Sequence, residues 1–299
     1  SLFEVRQTKY TGARIFLTFC LIVFMAASLP LYFRYEEYVH GNYTNDYKGV
    51  VTLTEAFKHS LNIPAVRISE AVGREAVRRV AGDFGIRNDL AAGPALALGV
   101  SEATLLDMTG AYAGILNGGS AVKPYGIIEL RLQGDRAPLM GQDGGIGERV
   151  ISPEAARLLT YMMSEVLASG TGTRARLPGR EAAGKTGTTQ AARDAWFLGF
   201  TADYVAGVWM GYDDNTPLTG VTGGGLPAEI WKEVMVRAHE GLPARPLPMT
   251  VPEPRLPPVG TSPSRMQDIP GEGSVPYPQP PGTQAPLAPA APPGLWSGA

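Results

Sequence analysis

The sequence predicts an α+β fold in which a helical part stands beside an antiparallel sheet. Two observations lead there. Up to Gly184, apolar residues recur at helical spacing behind capping residues; after it, the pattern switches to short aromatic and branched runs broken by a turn. A chain of 299 residues with 44% hydrophobic content can bury a sizeable core, as one large domain or two small ones.

Taken in order, VTLTEAFKHSLN places Thr52 three residues before Glu55, a capping box at the head of a helix carrying Leu53, Ala56 and Phe57. Pro64 suits the first turn of a second helix running through Ala65, Val66 and Ile68. Ser101 to Leu116 reads as an amphipathic helix closed by Asn117-Gly118-Gly119. Ser152 to Leu167 reads as another, with Ser152 as cap and Pro153 in its first turn. AWFLGF and YVAGVWMGY, separated by Thr201-Ala202-Asp203, predict an antiparallel hairpin. Apolar residues occupy both alternating sets, so both faces of that sheet should be covered. AEIWKEVMVRA, Ala228 to Ala238, predicts a closing helix.

The two ends differ from this globular stretch. Residues 15–33, IFLTFCLIVFMAASLPLYF, form an uncharged run just long enough to cross a bilayer. Arg6, Lys9 and Arg14 precede it, and the positive-inside bias would put the remainder outside the cytoplasm. A signal-peptide apolar region over residues 15–27 and a buried core helix are the competing readings. From Pro243 to Ala299 the composition collapses to Pro, Gly, Ser and Ala, with about two-thirds of the 26 prolines of the chain. Such a segment cannot bury enough apolar surface to offset its ordering entropy, so a disordered tail is expected over residues 243–299.

Several function classes drop out on composition. A net charge of -2 without a basic patch argues against nucleic acid. Cys20 is the single cysteine, and His40, His59 and His239 lack metal-ligand spacing, so neither a metal nor a cofactor is expected.

GREAAGKTGTT, residues 179–189, admits two readings. It fits the phosphate-loop pattern G-x-x-x-x-G-K-[ST], and it contains the K-T-G triad of penicillin-reactive serine enzymes. A phosphate loop needs a buried strand before its first glycine and a helix from its lysine. Here SGTGTRARLP precedes and the hairpin follows, so the nucleotide reading fails on context. In the other reading a strand begins at Lys185, which presents a positive charge to a substrate carboxylate. Thr186 follows it in the triad, and Gly187 leaves one face of the strand bare for an extended peptide. Thr188 and Thr189 supply hydroxyl donors beside the lysine, and the exposed backbone binds the peptide by strand addition.

An ordered series of segments then resembles the transpeptidase domain of class A, bifunctional penicillin-binding proteins. It comprises NYTNDYKGVVTLTEAFKHSLNIPAVR, ILNGGSAVKPYGI, SGTGTRA, AAGKTGTTQ, DAWFLGFTADYVAGVWMGYDDN and TGGGLPAEIW, covering residues 42–242. The resemblance implies the penicillin-binding/β-lactamase-like fold. It implies serine acyl transfer on D-Ala-D-Ala stem peptides in peptidoglycan synthesis, with β-lactams trapping the same serine. By family order Ser60-Leu61-Asn62 is the S-x-N motif and Lys185-Thr186-Gly187 the K-T-G motif. Ser60 would relay protons near the leaving amine, Asn62 would hold the substrate amide, and Lys185 with Thr188 would hold the substrate carboxylate. The implied setting is the inner membrane, with the domain facing the periplasm and other cell-wall synthesis proteins as further partners.

The nucleophile is unknown. The family's S-x-x-K motif belongs upstream of Ser60, where residues 1–41 do not show it; the one such string, Ser120-Ala121-Val122-Lys123, falls in an NGG-x-x-V-x-P turn. The expectation is therefore a domain incomplete at its N-terminus, without the family's glycosyltransferase domain, and with residues 1–41 foreign to it. A truncated or frame-altered gene is the favoured explanation, ahead of a membrane anchor on a peptide-binding pseudoenzyme or a motif supplied by another chain. A β-lactam or D-Ala-peptide hydrolase of the same superfamily is a further alternative.

Overall fold

The computed structural model describes residues 51–134, 136–141, 145–189 and 192–253; the apolar run 15–33, Cys20, His40 and the proline-rich stretch from residue 254 lie outside them. Helix α1 (Leu53–Lys58) is capped by the Thr52 hydroxyl, which accepts from Glu55 N at 3.2 Å. Helix α2 (Asn62–Val72) follows after a tight reversal, then α3 (Arg74–Asp83). A 3₁₀ turn (Pro94–Leu98) leads to α4 (Leu105–Leu116). Thr104, not Ser101, caps α4: its hydroxyl accepts from Asp107 N, while the Ser101 hydroxyl accepts from Ala91 N at 2.9 Å.

Two small hairpins come next. Strand β1 (Ser120–Val122) pairs with β4 (Ile146–Arg149), and β2 (Glu129–Leu130) with β3 (Met140–Gly141). Helix α5 (Pro153–Ser169) begins with Pro153 behind the Ser152 cap, as its sequence requires. The main sheet is antiparallel with order β5 (Ala183–Thr188), β6 (Asp194–Phe200), β7 (Val205–Gly211), and α6 (Leu226–Ala238) closes the domain.

Register shows how the sheet is covered. Lys185, Gly187, Leu198, Trp196, Gly207 and Trp209 share one face, through the pairs Lys185↔Leu198, Gly187↔Trp196, Leu198↔Gly207 and Trp196↔Trp209. α4 lies on it: a methyl built on Gly207 would meet Thr109 Oγ1 at 2.7 Å and Leu105 Cδ1 at 2.8 Å. The opposite face carries Phe197, whose ring centroid is 5.1 Å from that of Trp231 of α6. Trp231 is fully buried and donates its indole N–H to Ala206 O at 3.1 Å. The expected cover on both faces is present, and one continuous core joins helices and sheet.

The packed chain does not end at the Leu242 boundary read from the sequence. Leu247 is buried, its N–H donates to Glu181 at 2.7 Å, and Arg245 reaches Asp203, so the ordered segment continues through Glu253. Composition alone missed this, because an isolated leucine among prolines carries no periodicity. Among the described residues no helix is long and apolar enough to cross a membrane, and no group of three His, Cys, Asp or Glu could hold a metal ion.

Candidate functional site

Ser60 sits where α1 stops. Leu61 N donates to Ala56 O at 2.9 Å and Ser60 N to Phe57 O at 3.1 Å, the bond pair of a Schellman ending, with Ser60 at the left-handed position. Its φ of 53° is one that non-glycine residues seldom adopt. Leu61 and Ala56, with Val51, form the small apolar cluster that accompanies this motif. The strained turn points Ser60 at the sheet, and Asn62, half-buried, opens α2 directly behind it.

Lys185 comes from β5, which starts two residues earlier than the lysine, at Ala183. β5 is an edge of the main sheet, since β6 is its single partner strand among the described residues. Lys185 is 1% exposed, and Nζ donates to Ser60 Oγ across 125 sequence positions and to Thr186 O at 3.0 Å. The Phe57 ring lies beneath it, 5.9 Å from Nζ to the centroid. A buried ammonium is tolerated only with such partners. An ammonium has no lone pair, so Ser60 Oγ must accept, and the Ser60 proton is left to be donated onward.

The other predicted site residues are placed unequally. Thr186 is buried, and its hydroxyl lies 2.7 Å from that of Thr171. Thr188 is half-buried and accepts from Gly223 N at 3.0 Å. Gly187 is buried rather than bare: on the lysine face it adjoins a small pocket shared with Met108, Tyr112, Lys185, Thr186, Trp196 and Leu198, and Gly223 is pressed against its backbone. Thr189 does not stand beside the lysine. Its hydroxyl accepts from Asp194 N at 2.8 Å and it closes the β5–β6 connection. Phe57, Thr171 and Gly223 are the site residues that sequence reasoning left without roles; SGTGT and TGGG were their visible signals. Ser120 lies in β1, paired with Arg149 of β4, in a hairpin separate from the main sheet.

The fold that carries these residues is matched by known proteins. The family model described as penicillin binding protein transpeptidase domain matches residues 28–236, and the chain belongs to that family. The match begins at residue 28, inside the segment 1–41 read as foreign to the family. Penicillin-binding protein 1A of Aquifex aeolicus is 35% identical over 213 residues, 70% of this chain and 29% of that protein. The chain thus spans less than a third of that relative. A crystal structure of penicillin-binding protein 1A from Haemophilus influenzae superposes with a TM-score of 0.65 at 26% identity, over 79% of this chain and 43% of that one. A ceftriaxone acyl-enzyme complex of penicillin-binding protein A from M. tuberculosis superposes with a TM-score of 0.60 at 25% identity, over 74% and 59% of the two chains.

Proposed function

We propose that this chain carries the substrate-holding half of a peptidoglycan D,D-transpeptidase site, which grips the D-Ala-D-Ala end of a stem peptide and β-lactams in its place. The observation that carries the reading is the buried Lys185 donating to Ser60. In the acyl transfer of this family, a serine oxygen bonds to the penultimate D-Ala carbonyl carbon, the peptide C–N bond breaks, and terminal D-Ala leaves as an amine that needs a proton. Ser60 is arranged to pass that proton on and to recover it from Lys185. A second amine then takes the acyl group and frees the serine. Thr188 and Lys185 hold the terminal carboxylate, and Asn62 the substrate amide.

This reading leaves the attacking serine unassigned. Ser120-Ala121-Val122-Lys123 is the one S-x-x-K string in the sequence, and its serine lies in the β1–β4 hairpin. The site as it stands is therefore a holder of peptide and β-lactam, and the acyl-enzyme formed by the M. tuberculosis relative supports the β-lactam part of this reading. The run at residues 15–33, preceded by Arg6, Lys9 and Arg14, is consistent with anchorage in the inner membrane and a periplasmic domain.

Intact-mass measurement after incubation with benzylpenicillin tests this, beside ligand-observed NMR of its reversible binding. The expected result is no covalent adduct, and reversible binding weakened about tenfold or more in Lys185→Ala. A stoichiometric adduct would show that the chain supplies a serine after all, and peptide mapping would locate it. Neither adduct nor binding from a folded sample would leave a remnant without a working site.

A further inference from the structure

Thr186 and Thr188 are alternate residues of β5 and leave it on the same side, next to the open edge along which a ligand also within reach of Lys185 would lie. Each hydroxyl is held from behind. Thr186 Oγ1 meets Thr171 Oγ1 at 2.7 Å, and Thr188 Oγ1 accepts from the backbone of Gly223 at 3.0 Å. The second contact has a fixed polarity. A backbone N–H only donates, so the Thr188 oxygen is the acceptor and its own proton remains to be given away. Thr188 is half-buried, open enough for that proton to reach a ligand.

The loop that supplies this amide tolerates little else. A methyl built on Gly223 would lie 2.3 Å from the carbonyl oxygens of both Gly187 and Trp196, and one on Gly224 would lie 2.3 Å from Thr171 O. These are backbone atoms and cannot swing aside. The loop is fixed at its far end as well. Gly225 N donates to Thr222 O at 2.9 Å, and Gly225 is the residue from which α6 starts. Buried Trp231 in turn holds α6 to the sheet.

We infer that Gly223 is a positioning residue: its amide makes the Thr188 hydroxyl a dedicated donor, so that the site selects a terminal carboxylate over a carboxamide. The inference rests on the stem-peptide reading above. A carboxylate offers acceptors only and suits an outward-pointing hydroxyl proton, whereas the carboxamide nitrogen brings donors of its own. The bare glycine allows the loop to close on β5, and the closed loop sets the hydroxyl.

The test is a ¹⁵N–¹H titration of the full chain with a peptide ending in D-Ala-D-Ala carboxylate and with the same peptide as its C-terminal amide. The acid should bind about tenfold more tightly than the amide, and the acid alone should move the Gly223 amide resonance. Thr188→Ser should keep both the preference and the Gly223 shift; Thr188→Val and Gly223→Ala should lose both. A wild-type chain that binds the two peptides equally would sink the stem-peptide reading itself. A preference lost in Thr188→Val, with an unmoved Gly223 resonance in the wild type, would overturn the positioning role and leave that reading standing. If Gly223→Ala does not fold, the Thr188→Ser and Thr188→Val pair, read at the Gly223 resonance, decides between the same two outcomes.

Discussion

Phe57 and Lys185 meet ring to ammonium, 5.9 Å from the Nζ to the ring centroid, at a point where both side chains are fully buried. The contact joins the first helix to the edge strand of the sheet. It also sets a conflict between stability and function, because a cation in an apolar setting is retained at a cost that only its partners offset. Lys185→Met keeps the length and volume of the side chain and removes the charge. Its unfolding free energy should match the wild type or exceed it by about 1–2 kcal/mol, while reversible penicillin binding is lost. Thermal unfolding with a binding titration checks both. A variant destabilised by several degrees would mean that the charge itself holds the fold together.

Ser60 stores strain of another kind. Its φ of 53° belongs to the left-handed region, where a side chain costs about 1–2 kcal/mol relative to glycine. Part of the relief is returned through the greater unfolded-state freedom of glycine. Ser60→Gly should therefore stabilise by about 0.5–1 kcal/mol, and Ser60→Val, β-branched in the same conformation, should destabilise by more than that. Ligand binding should fall in both. Equal melting temperatures for serine and glycine would show that the turn is not under strain.

These two residues show what was readable in the sequence. As a bare triplet, Ser60-Leu61-Asn62 reads as a helix end, and Ser60 is indeed the residue after the α1 cap; its pairing with Lys185 comes from the motif order of the family. The β6–β7 hairpin, the Thr52 cap and the Pro153 helix start were legible because each depends on neighbours in sequence. The start of α4 was not legible: the helix read from Ser101 begins behind Thr104, because the Ser101 hydroxyl is taken by the Ala91 amide, which no local pattern reveals. Gly223 on Thr188, Thr171 on Thr186 and the packed segment after Leu242 were not legible. Each is a non-local bond from a stretch whose composition reads as loop.

Gly114 offers a test of packing away from the site. A methyl there would lie 2.8 Å from two ring carbons of Phe84 and 2.9 Å from Ser120 O, so α4 approaches both closely because the position is bare. Gly114→Ala should gain a little helix propensity and lose more to overpacking, for a net loss of about 1–3 kcal/mol. Phe84→Leu in the same chain should recover part of that loss, since the ring is one of the two obstacles. A double-mutant cycle by urea denaturation reads the coupling. Strict additivity would place the clash at the Ser120 carbonyl alone.

Asp203 gathers the last described residues onto the sheet. Its carboxylate accepts from Arg180 at 3.0 Å and from Arg245 Nε at 2.6 Å, and lies 3.8 Å from His239 Nε2. The two arginines differ in setting: the Arg180 side chain is 8% exposed and that of Arg245 60%. Removing Arg180 leaves the largely buried carboxylate with the exposed Arg245 alone, at up to about 3–5 kcal/mol, whereas an exposed pair contributes under about 1 kcal/mol. Arg180→Ala should thus cost several times more stability than Arg245→Ala, although both bind the same carboxylate. Leu247→Ala should rank between them, at about 2–3 kcal/mol, since that side chain is buried against the core. Urea denaturation of the three variants gives the order directly. Equal losses for the two arginines would mean that the segment carrying Arg245 is held by its ion pair, and not by the leucine two residues further on.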